Sequence, residues 1–87
     1  MKYTAKELGT IDFIVDYICN DIEQKIINKV YLSGNIDKEY VTVIPTKYKD
    51  NKEVINGIVD KFTQYGYQIN VCKNKIEDDL LYLQITW

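Results

Sequence analysis

The chain has 87 residues, with 11 basic against 13 acidic side chains and a net charge of −2. That length holds one hydrophobic core, so residues 1–87 are read as a single domain. The small negative charge works against bulk attraction to nucleic acid or to an anionic membrane surface, so neither is an expected partner.

A finer reading of the composition removes more. All 11 basic residues are lysine, and the chain has no histidine, no arginine and one serine, Ser33. Without histidine it lacks the commonest proton carrier near neutral pH and the commonest nitrogen ligand for transition metals. Without arginine it lacks the planar fork that grips phosphate and carboxylate in two places. Asp, Glu, Tyr, Lys and Cys remain, but no grouping of them nominates a reaction. The expectation is a protein that is not an enzyme and holds no cofactor or metal.

Thr4 and Glu7 form a T-x-x-E capping box that opens the first element. Leu8, Ile11, Ile14, Val15, Ile18, Ile22, Ile26 and Val30 follow at steps of three and four, which is one face of a helix. Gly9-Thr10 offers a second start, with Thr10 as the cap. Gly34 supplies the left-handed residue that closes the helix. Run in full, this segment is about 42 Å long at 1.5 Å per residue, more than a globule of this size needs.

Glu39 to Pro45 is β-branched and aromatic and ends in proline, which reads as a strand. Tyr40, Thr42 and Ile44 share one face of it, and Val41 and Val43 the other. Asp50 and Glu53 repeat the capping spacing ahead of a second helical stripe: Val54, Ile55, Ile58, Val59, Phe62 and Tyr65. Gly57 weakens that helix by up to about 1 kcal/mol relative to alanine. Gly66 is placed to end it. Tyr67, Ile69 and Val71 alternate with polar residues in a second strand. Asn74 to Asp79 reads as a polar turn. Leu81, Leu83, Ile85 and Trp87 mark a third strand that pairs with the second as a hairpin. The order α-β-α-β-β predicts an α+β fold: a three-stranded mixed sheet with a long N-terminal helix and a second helix packed on one face. A right-handed parallel crossover is the default between the first two strands. The neighbour of the first strand stays open.

Several groups bear on chemistry. Glu77, Asp78 and Asp79 could hold a hard cation, but their spacing matches no calcium loop, and Asp favours turns for backbone reasons. Lys47, Lys49 and Lys52 surround Tyr48, a pattern that can track a nucleic-acid backbone. Asp50 and Glu53 cancel much of that charge, and a solvated loop fits better. Gly34 and Gly66 stand alone, so there is no phosphate-binding glycine loop. Ser33 has no histidine to activate it. Cys19 and Cys72 form no metal-ligand cluster; a disulfide between them is one reading and two small apolar residues the plainer one. Cys72 sits on the polar face of its strand beside Lys73, where a reactive thiolate is conceivable.

The eight tyrosines resist a purely structural account. Tyrosine gives large contact area at low entropic cost and is enriched at interfaces. Tyr17 falls off the first helix's apolar stripe, and Tyr82 lies opposite Leu81, Leu83 and Ile85. Tyr40, with Ile44, is expected to extend a second apolar sheet face. The first helix also carries more aliphatic surface than two short neighbours cover. Tyr17, Tyr31, Tyr40, Tyr48, Tyr82, Lys47 and Lys49 are therefore the candidate partner-binding residues.

Gln64-Tyr65-Gly66-Tyr67-Gln68-Ile69-Asn70-Val71, with the closing Leu83-Gln84-Ile85-Thr86-Trp87, resembles the ending of small accessory proteins encoded by tailed bacteriophages. Those endings run from a helix through Gly-Tyr, a strand and a polar turn to a last strand closing on apolar-x-Trp. Thr86 stands where they usually carry serine. The resemblance covers roughly the last 35 residues and carries over no catalytic or binding residue. It implies a virion component or an inhibitor of a host or defence protein, acting by binding in the host cytoplasm. The start of the chain shows no apolar leader, and nothing in it has the length and apolarity of a membrane span. The functional expectation is non-catalytic protein binding with homo-oligomer formation, through the first helix and a tyrosine-rich sheet surface. The alternative is a small-ligand or nucleotide-binding protein with a pocket between subunits, in which lysines meet the ligand's charge.

Overall fold

A computed structural model describes residues 3–73 and 80–87. Along the chain come α1 (Ile11–Ser33), β1 (Glu39–Val43), a 3-10 turn (Thr46–Tyr48), α2 (Lys52–Gln64), β2 (Gln68–Lys73) and β3 (Leu81–Thr86). This is an α+β fold with a long N-terminal helix. The polar turn at 74–79, Lys75 and the acidic trio Glu77, Asp78 and Asp79 lie outside the described residues.

Helix α1 starts at the second of its two candidate caps. The Thr10 hydroxyl accepts the Phe13 N–H at 3.3 Å. The Thr4–Glu7 contacts also form, with the Thr4 N–H and hydroxyl donating to Glu7 Oε1 at 3.2 and 2.8 Å. They close only a turn, because Gly9 at φ +84° turns the chain before the helix begins. At the other end Gly34 takes φ +72° and donates its N–H to the Val30 carbonyl at 2.9 Å. The cap of α2 is Asn51 rather than Asp50: Asn51 Oδ1 accepts the Val54 N–H at 3.2 Å. Asp50 is taken up in the preceding turn, which the Asn51 N–H closes on the Tyr48 carbonyl at 3.0 Å.

The sheet order is β1-β3-β2, and both pairs are antiparallel. The expected mixed sheet is thus corrected. β1 and β2 do run the same way, as the α2 crossover requires, but β3 lies between them and pairs with each. Leu83 faces Thr42 and Val71, and Ile85 faces Tyr40 and Ile69, on the helix side. The other side carries Val41, Val43, Tyr82, Gln84 and Cys72. Tyr40 and Ile44 therefore belong to the inner layer, not to a second apolar face.

The core joins three layers of side chains: Val15, Ile18, Cys19, Ile22 and Ile26 from α1, Val54, Ile58 and Phe62 from α2, and Ile44, Leu83 and Ile85 from the sheet. The two helices are in tight contact at Gly57, where a Cβ would lie 2.7 Å from Val15 Cγ2. Asp16 ties this contact down, pairing with Lys61 of α2 and accepting the Tyr3 hydroxyl. Tyr3 also packs edge-on against Phe13, with centroids 5.1 Å apart.

Candidate protein-docking groove

The functional candidate follows from a mismatch of lengths. Helix α1 has 23 residues and α2 has 13, so at 1.5 Å per residue they span about 34 and 20 Å. They run in the same direction, with Val15 against Gly57 and Asp16 against Lys61. α2 ends at Gln64, and the last turns of α1 continue past it. What α2 would have covered is left open.

A groove of about 620 Å³ occupies that space. Its floor and one wall come from Ile26, Ile27, Val30 and Tyr31 of α1. Tyr65 and Gly66 after α2, Tyr67 and Trp87 make the other wall. On its rim the large apolar side chains are open to solvent: Tyr31 is 86%, Tyr65 71% and Ile27 49% exposed. Exposure of single apolar residues is ordinary, but a cluster beside an apolar groove marks an interaction surface.

The aromatic wall is preformed. Phe62 and Tyr67 meet edge to face at 5.2 Å, and Tyr67 and Trp87 at 6.3 Å. Trp87 is fixed by two hydrogen bonds to the loop after α1: its N–H to the Lys38 carbonyl at 3.2 Å, and its indole N–H to Asn35 Oδ1. Gly66 sits at φ +88° with nothing within 4 Å of where a Cβ would be, so the wall steps from Tyr65 to Tyr67 without filling the groove. A smaller cleft of about 160 Å³ adjoins it, sharing Tyr65 and Tyr67 and reaching Asn20, Glu23, Cys19 and Lys61. Burial, and then the Glu23 carboxylate, push the Cys19 thiol up to about 11. The free thiol of Cys19 is buried and protonated, whereas that of Cys72 is exposed. The pair is therefore neither a disulfide nor two buried apolar residues.

The seven sequence-nominated residues do not converge on one surface. Tyr31 is on the rim of the groove. Tyr17 is exposed on roughly the same side of α1 but 14 residues earlier, about 21 Å along the axis. Tyr40 packs against the core from the inner sheet layer. Tyr48 does so from the 3-10 turn, with Lys47 Nζ 5.1 Å above its ring. Tyr82 is half-buried on the outer sheet face, in the row Val43-Tyr82-Cys72. Lys47 and Lys49 sit before α2, and neither lines the groove. Sequence reasoning missed Tyr65, Tyr67 and Trp87, which were assigned to core stripes. The signal for them was the difference in helix length, ten residues, combined with Gly66 closing the shorter helix.

Among the described residues no group of three or more Asp, Glu or Cys side chains is arranged to hold a metal ion, and no helix is long and apolar enough to cross a membrane. The arrangement offers apolar burial, aromatic contact and phenol hydrogen bonds at its rim. Comparisons with protein-family models, curated proteins and solved structures find no match to this chain.

Proposed function

We propose that the chain is a non-catalytic protein-binding module, and that its docking surface is the groove between the overhanging end of α1 and the Tyr65–Tyr67–Trp87 wall. The observation that carries this reading is the pairing of Tyr31 and Tyr65, each at least 71% exposed, across a preformed apolar cleft that Ile27, Val30 and Trp87 also line. Leaving these side chains in water forgoes their burial, worth roughly 1.5–3 kcal/mol for each aliphatic. Tyrosine and tryptophan are also the residues most enriched in binding hot spots. The likeness of the C-terminal segment to phage accessory proteins supports a phage-encoded binder of a virion neighbour or of a host protein, working in the host cytoplasm.

The small-ligand alternative draws on the groove's volume, which falls within the usual range for ligand pockets. None of Lys47, Lys49 and Lys52 lines it, however, which leaves a phosphate-bearing ligand without a cation. A thermal-shift screen with nucleotides should be flat on the protein-binding reading. The direct test places a photo-crosslinking amino acid at position 65, and separately at position 60 on the exposed face of α2, in the cell that makes the protein. Crosslinks to a protein, another copy included, from position 65 and not from position 60 are the expected result. Equal crosslinking from both, or none from 65, would overturn the proposal.

A further inference from the structure

The groove has a charged end, and the sign of that end selects among partners. Asn20, Glu23, Ile27 and Tyr31 follow one side of α1 at steps of three and four, so the two adjoining clefts form one channel along the helix. From Asn20 to Tyr31 it extends about 17 Å, the length of three helical turns. One stretch of the channel is apolar and aromatic, and its near end carries the Glu23 carboxylate. Lys61, which lines the same cleft as Glu23, is committed to Asp16. Lys25 is committed to Asp21 at 3.0 Å. Among the described residues no cation pairs with Glu23.

Resting on the docking reading above, we infer that the occupant is a short amphipathic helix of another protein whose apolar face is flanked by lysine or arginine, with one cation set against Glu23. An apolar face with residues at i, i+3, i+4 and i+7 is what a three-turn groove accepts. The basic flank completes the one charge the channel leaves without a counterion and adds cation–π contact with the rim tyrosines. A second copy of this chain fits less well. Its own exposed apolar helix is α1, and entering with that face would bring its Asp21 and Glu23 toward the same Glu23. Like charges set against each other at an interface oppose association.

The test uses two synthetic 16-residue helical peptides with the same leucine face, one flanked by lysine and one by glutamate, titrated by fluorescence anisotropy at low salt. The lysine peptide should bind about tenfold more tightly. Glu23→Lys should shrink that ratio to under about threefold. Asp60→Lys, an equal charge change at an exposed position of α2 that lines neither cleft, should leave it in place. All three proteins should give the same circular dichroism. A ratio near one, or a ratio that Asp60→Lys lowers as much as Glu23→Lys, overturns the inference while leaving apolar docking intact. Sedimentation showing a dimer that Tyr65→Ala dissociates assigns the groove to a second copy and also overturns it. No binding of either peptide, with a monomer throughout, removes the docking reading along with it.

Discussion

Replacing Gly57 by alanine sets two known effects against each other at one atom. Alanine in a helix interior is favoured over glycine by about 1 kcal/mol. Here the new Cβ would lie 2.7 Å from Val15 Cγ2 and 3.3 Å from Cγ1. Val15 is buried and β-branched, so it has little freedom to rotate away. Overpacking of this kind costs typically 1–3 kcal/mol, and the net effect is a loss of about 1 kcal/mol. For a domain of this size that lowers Tm by about 4–8 °C. The control is Val15→Ala, which removes both γ-methyls and leaves Val15 Cβ at 3.5 Å, an ordinary contact. In that background Gly57→Ala should stabilise by about 0.5–1 kcal/mol, since only the helix-propensity gain remains. Urea unfolding of the four proteins closes the cycle, with a coupling energy of about 1–3 kcal/mol between the two sites. If Gly57→Ala stabilises both backgrounds equally, the close helix approach is not what holds the glycine there.

Three further outcomes follow from particular contacts. Asn51→Ala should cost about 1 kcal/mol of stability by urea unfolding while Asp50→Ala costs little, because the Asn51 carboxamide alone caps α2. A thiol reagent at pH 8 should modify one cysteine per folded chain, Cys72, and reach Cys19 only on unfolding. Cys19 is buried and titrates near 11, against 9.0 for an unperturbed thiol. Because its folded value is the higher one, the stability held by the neutral thiol is present below pH 9 and lost as pH rises toward 11, amounting to about 2–3 kcal/mol. The Cys19→Ala variant should show a correspondingly shallower alkaline decline. Tyr31→Ala and Tyr65→Ala should each change thermal stability by less than about 0.5 kcal/mol, as expected of side chains that leave the core untouched.

The elements were legible where local rules and burial agreed. Gly34 and Gly66 end their helices as left-handed residues, and the alternation of Leu81, Leu83 and Ile85 puts them on the inner face. Local rules failed where two candidates satisfied the same pattern. Thr4-Glu7 and Thr10 both read as starts, and only the backbone at Gly9 chose between them. Asp50 and Asn51 were equally good caps by residue type. Strand order lay beyond a single sequence, since β3 pairs with both neighbours through backbone groups that every residue carries. The same limit applies to the site. Period separates Tyr40, Thr42 and Ile44 from Val41 and Val43, but which of the two sets the helices cover is a tertiary fact: sequence alone groups Tyr40 with Tyr82 on the outer face, and Tyr40 lies on the inner one. Gly57 shows the same limit at the level of one residue. By propensity it is a flaw in α2, and in the fold it is what admits Val15.

The proposed docking surface can be tested by its own chromophore, because Trp87 is the only tryptophan and lines the groove. Emission from Trp87 should be followed while the leucine-faced, lysine-flanked peptide is added, in the wild-type chain and in Tyr65→Ala. A saturable blue shift in the wild type, weakened at least tenfold by Tyr65→Ala, is the predicted result. Emission that stays constant to millimolar peptide, or a shift that Tyr65→Ala leaves unchanged, would contradict the assignment of this groove as the place where the protein meets its partner.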